Sequence, residues 1–189
     1  MTALELPVSP LTIRDLHVGE QIAISGTIFT LRPAVYEYIH EGGDLPFETE
    51  GSIVYNCGPV GKKRGKKFSV QSIAPDHSTP LDPMVKEVLA RFGVRGLIGR
   101  GELGKQTIDA CRQYPSCYFQ TIGGAGPLLA KHVKEVKAVH ITDKFDLTDA
   151  VWEIEVENFP AIVMIDCHGQ SLHDMIRDVS NRRLINLQS

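Results

Sequence analysis

The sequence lacks several features that define whole classes of protein. No apolar run approaches the ~18 residues of a membrane-spanning helix. The N-terminus has no basic segment followed by an apolar one, so no secretory signal is predicted. The four cysteines are scattered without any CxxC pair, which predicts reduced, buried thiols rather than disulfides. A net charge of -3 argues against general nucleic-acid binding. We therefore expect a soluble, cytoplasmic protein.

The composition is ordinary for a folded domain. The chain has 189 residues, of which 42% are hydrophobic and 23% are charged, and this is enough for one domain with a substantial core. The early half is rich in strand patterns, and the later half mixes helices with buried strands. We predict an α/β protein, a single domain of β/β/α layers at residues 11–189, preceded by a loose N-terminal arm at residues 1–10.

Hydrophobic periodicity places the elements of this domain. Strand patterns occupy residues 21–31, 52–57, 67–73, 116–121, 136–141, 152–157 and 159–166. Helical patterns occupy residues 34–40, 80–92, 106–112, 128–133 and 172–179.

The stretch from Ala74 to Gly104 reads as a polar turn, a helix, a buried strand and a glycine-rich turn. Thr79 is placed to cap the helix, Asp82 to complete a capping box, and Gly93 to end the helix. One strand–helix–strand unit thus holds two polar turns near each other. We expect an anionic ligand to bind there.

Two further motifs have competing interpretations. The basic segment from Lys62 to Lys67 could attract nucleic acid or anions, but no aromatic residues interleave with it, which favours a hairpin loop with solvated charges. The turn Gly123-Gly-Ala-Gly126 precedes a helix, as phosphate-binding turns do. It lacks the P-loop residues and the GxGxxG spacing, so a close-packing turn is favoured.

Two histidine-containing motifs could carry chemistry. In Asp166-Cys167-His168-Gly169, adjacent residues of an extended segment point to opposite faces, which favours a structural turn with a hydrogen-bonded histidine over a metal or thiol site. Asp76 and His77 could form an acid–base pair at the helix entrance. Equally, Asp76 could only cap the turn, and the sequence leaves these alternatives open.

Several short motifs, in a fixed order, carry a resemblance to a known family. They are Gly19, Ile24-Ser-Gly-Thr-Ile28, Arg32, Tyr55-Asn-Cys-Gly-Pro59, Pro75, Ser78, Ile98-Gly-Arg-Gly101 and Ile165-Asp-Cys-His-Gly169. From about Leu11 to Arg177 the chain resembles the β subunit of L(+)-tartrate dehydratase and the matching C-terminal domain of class I iron–sulfur fumarases. Each motif alone is weak, but the ordered set is specific.

The resemblance implies a swivelling β/β/α domain that pairs with a cluster-bearing α subunit. In that family the partner holds a [4Fe–4S] cluster on three cysteines, and the reaction is the reversible hydration or dehydration of a small dicarboxylate such as fumarate, malate or tartrate. The cluster acts as a Lewis acid on substrate oxygens. This chain has no cysteine spacing for a cluster, so we expect it to bind no metal itself and to be inactive alone.

The family's catalytic motif is altered in this chain. The threonine assigned a base role in fumarases falls on Asp76, and a substrate-binding arginine falls on Pro80. The lysine of the family's glycine-rich motif becomes Arg100, and its last glycine becomes Glu102. The family's Arg-Asp-x-x-His segment keeps Arg32, with Pro33 and Tyr36 at its other two positions.

These matches give a set of candidate site residues. Arg32, Arg100 and Ser78 are predicted to bind substrate, and Asp76 and His77 to transfer protons. We expect a small dicarboxylate or related anion as ligand, no nucleic acid or membrane as partner, and a homodimer or a heterotetramer. The alternative is a catalytically silent relative that binds a partner or an anion in the same cleft.

Overall fold

The described part of the chain, residues 1–65 and 67–188 of this computed structural model, folds into nine strands and six α-helices. The strands are β1 (Thr2–Glu5), β2 (Gln21–Thr30), β3 (Ile53–Tyr55), β4 (Val60–Arg64), β5 (Lys67–Ser72), β6 (Gly96–Gly99), β7 (Cys117–Gln120), β8 (Val133–His140) and β9 (Val151–Ile165). The helices are α1 (Pro10–Arg14), α2 (Pro33–His40), α3 (Asp82–Phe92), α4 (Lys105–Gln113), α5 (Gly126–Leu129) and α6 (Leu172–Gln188).

The main sheet has the strand order β1-β2-β3-β6-β7-β9-β8. Its first five strands are parallel to one another, whereas β9 runs antiparallel to β2, β7 and β8. Ile162 of β9 pairs with Gln21 of β2 and also with Gln120 of β7. Because a strand has two edges, β2 and β7 must lie on opposite edges of β9. The pairings β2-β3-β6-β7-β9 therefore close into a ring.

Alternation along these strands divides the core into two clusters. Tyr55, Ile98 and Phe119 belong to one buried cluster, together with the apolar side chains of β2 and β9. The intervening residues Val54 and Leu97 belong to the second cluster, which includes apolar residues of α2, α3 and α4. Helices α2, α3 and α4 thus cover the face of the parallel strands that points away from the first cluster. This packing keeps the carboxyl ends of those strands in fixed positions.

Strand β9 is one continuous element where the sequence pattern predicted two strands. Trp152, Ile154 and Val156 point into the first cluster, and so do Phe159, Ala161 and Val163. The switch of face occurs at Asn158, whose backbone adopts a φ of 51°. This bulged position interrupts the alternation without ending the strand.

The N-terminal residues differ from the expectation of a loose arm. Thr2–Glu5 forms β1, which pairs in parallel with β2 from Ile22 to Ser25, and Leu4 is 1% exposed. The strand has only four residues, so alternation alone could not separate it from a coil. The mixed α/β class is confirmed, whereas the swivelling three-layer arrangement and the boundary at residue 11 stay predictions.

The helix predicted after Thr79 is present, but its expected caps act elsewhere. Gly93 ends α3 with a φ of 61°, as predicted. The Thr79 hydroxyl instead donates to the Glu102 carbonyl, 2.6 Å away. Asp82 Oδ1 accepts hydrogen bonds from the backbone N–H groups of Gly104 and Thr107, so it caps the start of α4. Tertiary packing offers Asp82 donors that local sequence rules do not consider.

All four cysteines are free and buried, as the sequence predicted. Burial raises the pKa of Cys111 to about 12 and raises the pKa of the other three thiols as well. These groups therefore remain protonated thiols at neutral pH. Within the described residues, no helix combines the length and the apolar character needed to cross a membrane.

Candidate active site

The predicted site residues lie where the parallel strands end. Arg32 follows β2, Asn56 follows β3, and Arg100 follows β6. The loop at residues 74–78, between β5 and the 3-10 turn Thr79–Leu81, runs across these strand ends. In both open and closed parallel α/β sheets, ligands bind at the carboxyl ends of the strands, so these strand ends are where a site is expected.

Backbone hydrogen bonds fix this loop against the sheet. The Asp76 N–H donates to the Asn56 carbonyl at 2.6 Å, and the Ser78 N–H donates to the Arg100 carbonyl at 2.8 Å. His77 and Arg100 form an isolated parallel β-bridge. The two polar turns that the sequence predicted to be neighbours are therefore joined, and this prediction is confirmed.

Arg32 is held by two carboxylates. Its Nε lies 3.1 Å from Asp76 Oδ2, and its Nη1 lies 3.0 Å from Asp149 Oδ1. The three side chains are between 30% and 35% exposed, so water screens these ion pairs only in part. A Cβ added at Gly58 would lie 3.0 Å from Arg32 Cδ. The glycine of the Asn56-Cys-Gly58 turn therefore makes room for the arginine.

Arg100 contacts the same loop at a neighbouring residue. Its Nε donates to the Pro75 carbonyl at 3.1 Å, and the residue is exposed. A Cβ added at Gly123 would lie 3.1 Å from Arg100 Cδ. In the described chain, Arg100 forms no ion pair with a carboxylate. Its terminal guanidinium nitrogens are thus available to an anion.

Asp76 and His77 are adjacent, but their side chains serve different contacts. The Asp76 carboxylate pairs with Arg32, so it is neither a simple turn cap nor, across the described residues, hydrogen-bonded to His77. The exposed His77 ring lies over Gly101, where an added Cβ would be 2.6 Å from His77 Nδ1. Their assignment as catalytic groups stays a prediction.

Ser78, the last residue of this loop, is turned towards the interior rather than the surface. The residue is 0% exposed, and its Oγ accepts a hydrogen bond from Asn56 Nδ2 at 3.0 Å. The side chain is therefore placed to position the loop. Its predicted role as a direct substrate ligand stays untested.

Sequence reasoning missed several residues that build the site. Buried Asn56 links the loop to α2, because its Oδ1 accepts from the Tyr36 hydroxyl at 2.8 Å. Tyr118 Oη and Gln120 Nε2 both donate to the Gly101 carbonyl, at 2.9 and 2.5 Å, and burial raises the pKa of Tyr118 to about 12. A polar residue directly after a buried strand is a usable signal for Asn56, but no local pattern indicates Asp149.

Comparison with known proteins identifies the family of this chain. The sequence profile of the family described as "Fumarase C-terminus" matches residues 2–176. The chain belongs to this family. The resemblance inferred from the ordered motifs is confirmed.

Three relatives illustrate how far the similarity extends. A Geobacillus stearothermophilus protein assigned as a class I fumarate hydratase is 33% identical over 96% of this chain but over 35% of its own length. This chain thus spans about a third of that relative. A Methanocaldococcus jannaschii protein assigned as an L(+)-tartrate dehydratase β subunit is 32% identical over 87% of each chain. The Escherichia coli L(+)-tartrate dehydratase β subunit is 28% identical over 89% of this chain and 85% of its own.

Two motifs of this Fumarase C-terminus chain have structural contacts that account for them. A Cβ at Gly126 would collide with Ser72 Oγ and lie 3.0 Å from the Ala74 backbone nitrogen, which supports the close-packing interpretation of this turn. In the motif that begins at Asp166, the carboxylate accepts the N–H groups of His168 and Gln170. His168 Nε2 lies 2.9 Å from the Arg14 carbonyl, as expected for a structural turn with a hydrogen-bonded histidine.

The basic segment forms the predicted hairpin. Strands β4 and β5 pair antiparallel around Gly65, which has a φ of 62°. Lys62 and Lys63 are exposed, and Lys66 lies outside the described residues. The hairpin ends at Ser72, before the loop at residues 74–78 that Arg32 and Arg100 contact.

The donor groups of this chain do not fit an iron–sulfur cluster. A cluster needs several thiolates around one centre, whereas these cysteines are buried, protonated thiols in two core clusters. No group of three His, Cys, Asp or Glu residues suited to a metal ion occurs in the described ranges, 1–65 and 67–188. The cysteines of this chain are therefore not placed to hold a cluster.

Proposed function

We propose that this chain is the β-type subunit of an iron–sulfur hydro-lyase, which adds water to, or removes it from, a small organic acid related to malate or tartrate. The observation that carries this proposal is the convergence of Arg32 and Arg100 on one loop in a member of the Fumarase C-terminus family. The names of its relatives, a class I fumarate hydratase and tartrate dehydratase β subunits, favour the same reaction class.

Arg100 is the principal carboxylate ligand in this proposal. Its free guanidinium nitrogens can bind a carboxylate through two parallel hydrogen bonds. Neutralising that carboxylate stabilises negative charge developing on the adjacent carbon when its proton is removed. The Pro75 carbonyl and Gly123 hold the arginine stem in place, so binding requires little reorganisation of this side chain.

Asp76 and His77 are the proposed proton-transfer groups. His77 is exposed and sits beside Arg100 through the β-bridge, within the same loop that would contact the substrate. Asp76 is oriented by Arg32. In a dehydration, one of these groups would accept the carbon-bound proton, and the other would protonate the departing hydroxyl group.

The remaining catalytic component is proposed to come from a partner. The naming of two relatives as β subunits supports a separate α subunit, which would carry the [4Fe–4S] cluster. We propose a cytoplasmic heteromer in which this chain contributes Arg32, Arg100 and the loop at residues 74–78 that they contact. The chain alone would then have no activity.

The proposal is tested by coexpressing the chain with a cluster-bearing α subunit and assaying hydration and dehydration anaerobically over several hydroxy and unsaturated acids. Arg100→Ala should lower kcat/KM about 10- to 100-fold, because a charge-assisted hydrogen bond contributes ~1.5–3 kcal/mol. Arg14→Ala, an exposed arginine of α1 before β2 begins, is the matched control and should leave kcat/KM unchanged. Turnover that survives both Arg32→Ala and Arg100→Ala would remove the proposed site. Thermal stabilisation by an acid without any turnover would instead support a silent, anion-binding relative.

A further inference from the structure

The charge distribution around the two arginines is unequal. Arg32 is matched by two carboxylates, Asp76 and Asp149, at 3.1 and 3.0 Å. This group of three side chains therefore has a formal net charge of one negative unit. The Arg100 guanidinium, by contrast, donates a hydrogen bond only to the neutral carbonyl of Pro75 within the described part of the chain. The site thus has a positive end at Arg100 and a negative end at Arg32.

Asp149 is held in this position by its own segment. The Asp146 carboxylate accepts hydrogen bonds from the N–H groups of Thr148 and Asp149, at 2.9 and 3.1 Å. The next residue, Ala150, is 1% exposed and leads into β9. A side-chain-stabilised turn on one side and a buried strand on the other fix the backbone of Asp149. The fold therefore holds Asp149 where its carboxylate contacts Arg32.

The acidic group near Arg100 does not cancel the positive end. Glu102 follows Arg100 by two residues, but its carboxylate is paired with Arg177 of α6. The only charged partners of Arg32 in the described ranges are the two aspartates. A second substrate carboxylate placed at Arg32 would lie close to both aspartates, whose like charges oppose it.

We infer that the candidate site selects a singly charged acid, and that Asp149 is a specificity-determining residue. The substrate carboxylate binds Arg100, and the opposite end of the substrate carries a hydrogen-bond donor, such as an amide, that faces Asp76 and Asp149. The reaction in this inference rests on the proposed function. The charge of the ligand, in contrast, is inferred from the ion pairs alone. Like-charge contacts at a site are a common means of rejecting wrong ligands.

The test compares fumarate with its monoamide, which keeps one carboxylate and replaces the other with a donor. In the complex with the α subunit, kcat/KM for the monoamide should exceed that for fumarate at least tenfold. Asp149→Asn should reduce this ratio at least tenfold, because it removes the negative charge while keeping a similar shape. Asp143→Asn changes an exposed acid of the same segment and should alter the ratio less than twofold.

A preference of the wild-type complex for fumarate, or an unchanged ratio in Asp149→Asn, would overturn the inference. If the complex turns over neither acid, the proposed function fails separately, and calorimetric binding of the two acids to the purified protein decides the charge preference. Thermal melting of both variants controls for a structural effect, because a loss of stability alone would lower the binding and turnover of both acids equally.

Discussion

Asn56 offers the sharpest test of how the candidate site is held together. Its side chain is fully buried, accepts from the Tyr36 hydroxyl at 2.8 Å and donates to Ser78 Oγ at 3.0 Å. Asn56→Ala removes both hydrogen bonds and leaves the Tyr36 hydroxyl, also fully buried, without this partner. A buried hydrogen bond contributes ~1 kcal/mol, and an orphaned buried polar group costs ~1–3 kcal/mol. We expect Asn56→Ala to lower the free energy of unfolding by about 2–4 kcal/mol.

A double-mutant cycle isolates the contact with Tyr36. Tyr36→Phe alone should cost about 1–2 kcal/mol, since it leaves Asn56 Oδ1 unpaired. The double variant should be less destabilised than the sum of the two single variants by about 1 kcal/mol, because neither unpaired group remains. Urea unfolding at constant temperature, with linear extrapolation of the unfolding free energy, measures all four proteins.

Tyr114→Phe is the matched control for this cycle. The Tyr114 hydroxyl contacts Gln113 at the end of α4, and its effect should add to that of Asn56→Ala within ~0.5 kcal/mol. Additivity of the Tyr36 and Asn56 effects within the same range would refute the buried link between the loop and α2.

Two further predictions concern the supports of the site. Asp82→Ala should lower the unfolding free energy by about 2–3 kcal/mol, because α4 loses the carboxylate that caps Gly104 and Thr107. Asp82→Asn should recover part of this loss. Equal midpoints of urea unfolding for the two variants would contradict the role of Asp82 as the cap of α4. Tyr118→Phe should cost about 1 kcal/mol at pH 8, through the lost bond to the Gly101 carbonyl. Because burial raises the pKa of Tyr118 from 10.0 to about 12, the neutral phenol stabilises the fold fully below pH 10. This advantage of wild type should shrink as the pH rises from 10 towards 12, and a constant difference would show that Tyr118 is not buried as described.

Local patterns predicted most elements well. Period-two alternation indicated β2, and helical spacing with Gly93 indicated α3 and its end. These patterns succeed because the residues concerned bury one face of a regular element. They failed at Asn158, where a single left-handed residue changes the face of β9, and at Thr2–Glu5, where a strand of four residues depends on pairing with β2.

The sequence by itself determined the family, the positions of Arg32 and Arg100 and the altered motif between them. Those features are properties of residue identity and order. Only the tertiary structure decided that the strands close into a ring, that Asn56 supports the loop, and that Asp149 joins Asp76 on Arg32. These outcomes depend on which distant segments pack together, and the pairing of distant segments is set by shared burial and hydrogen bonding rather than by any local pattern.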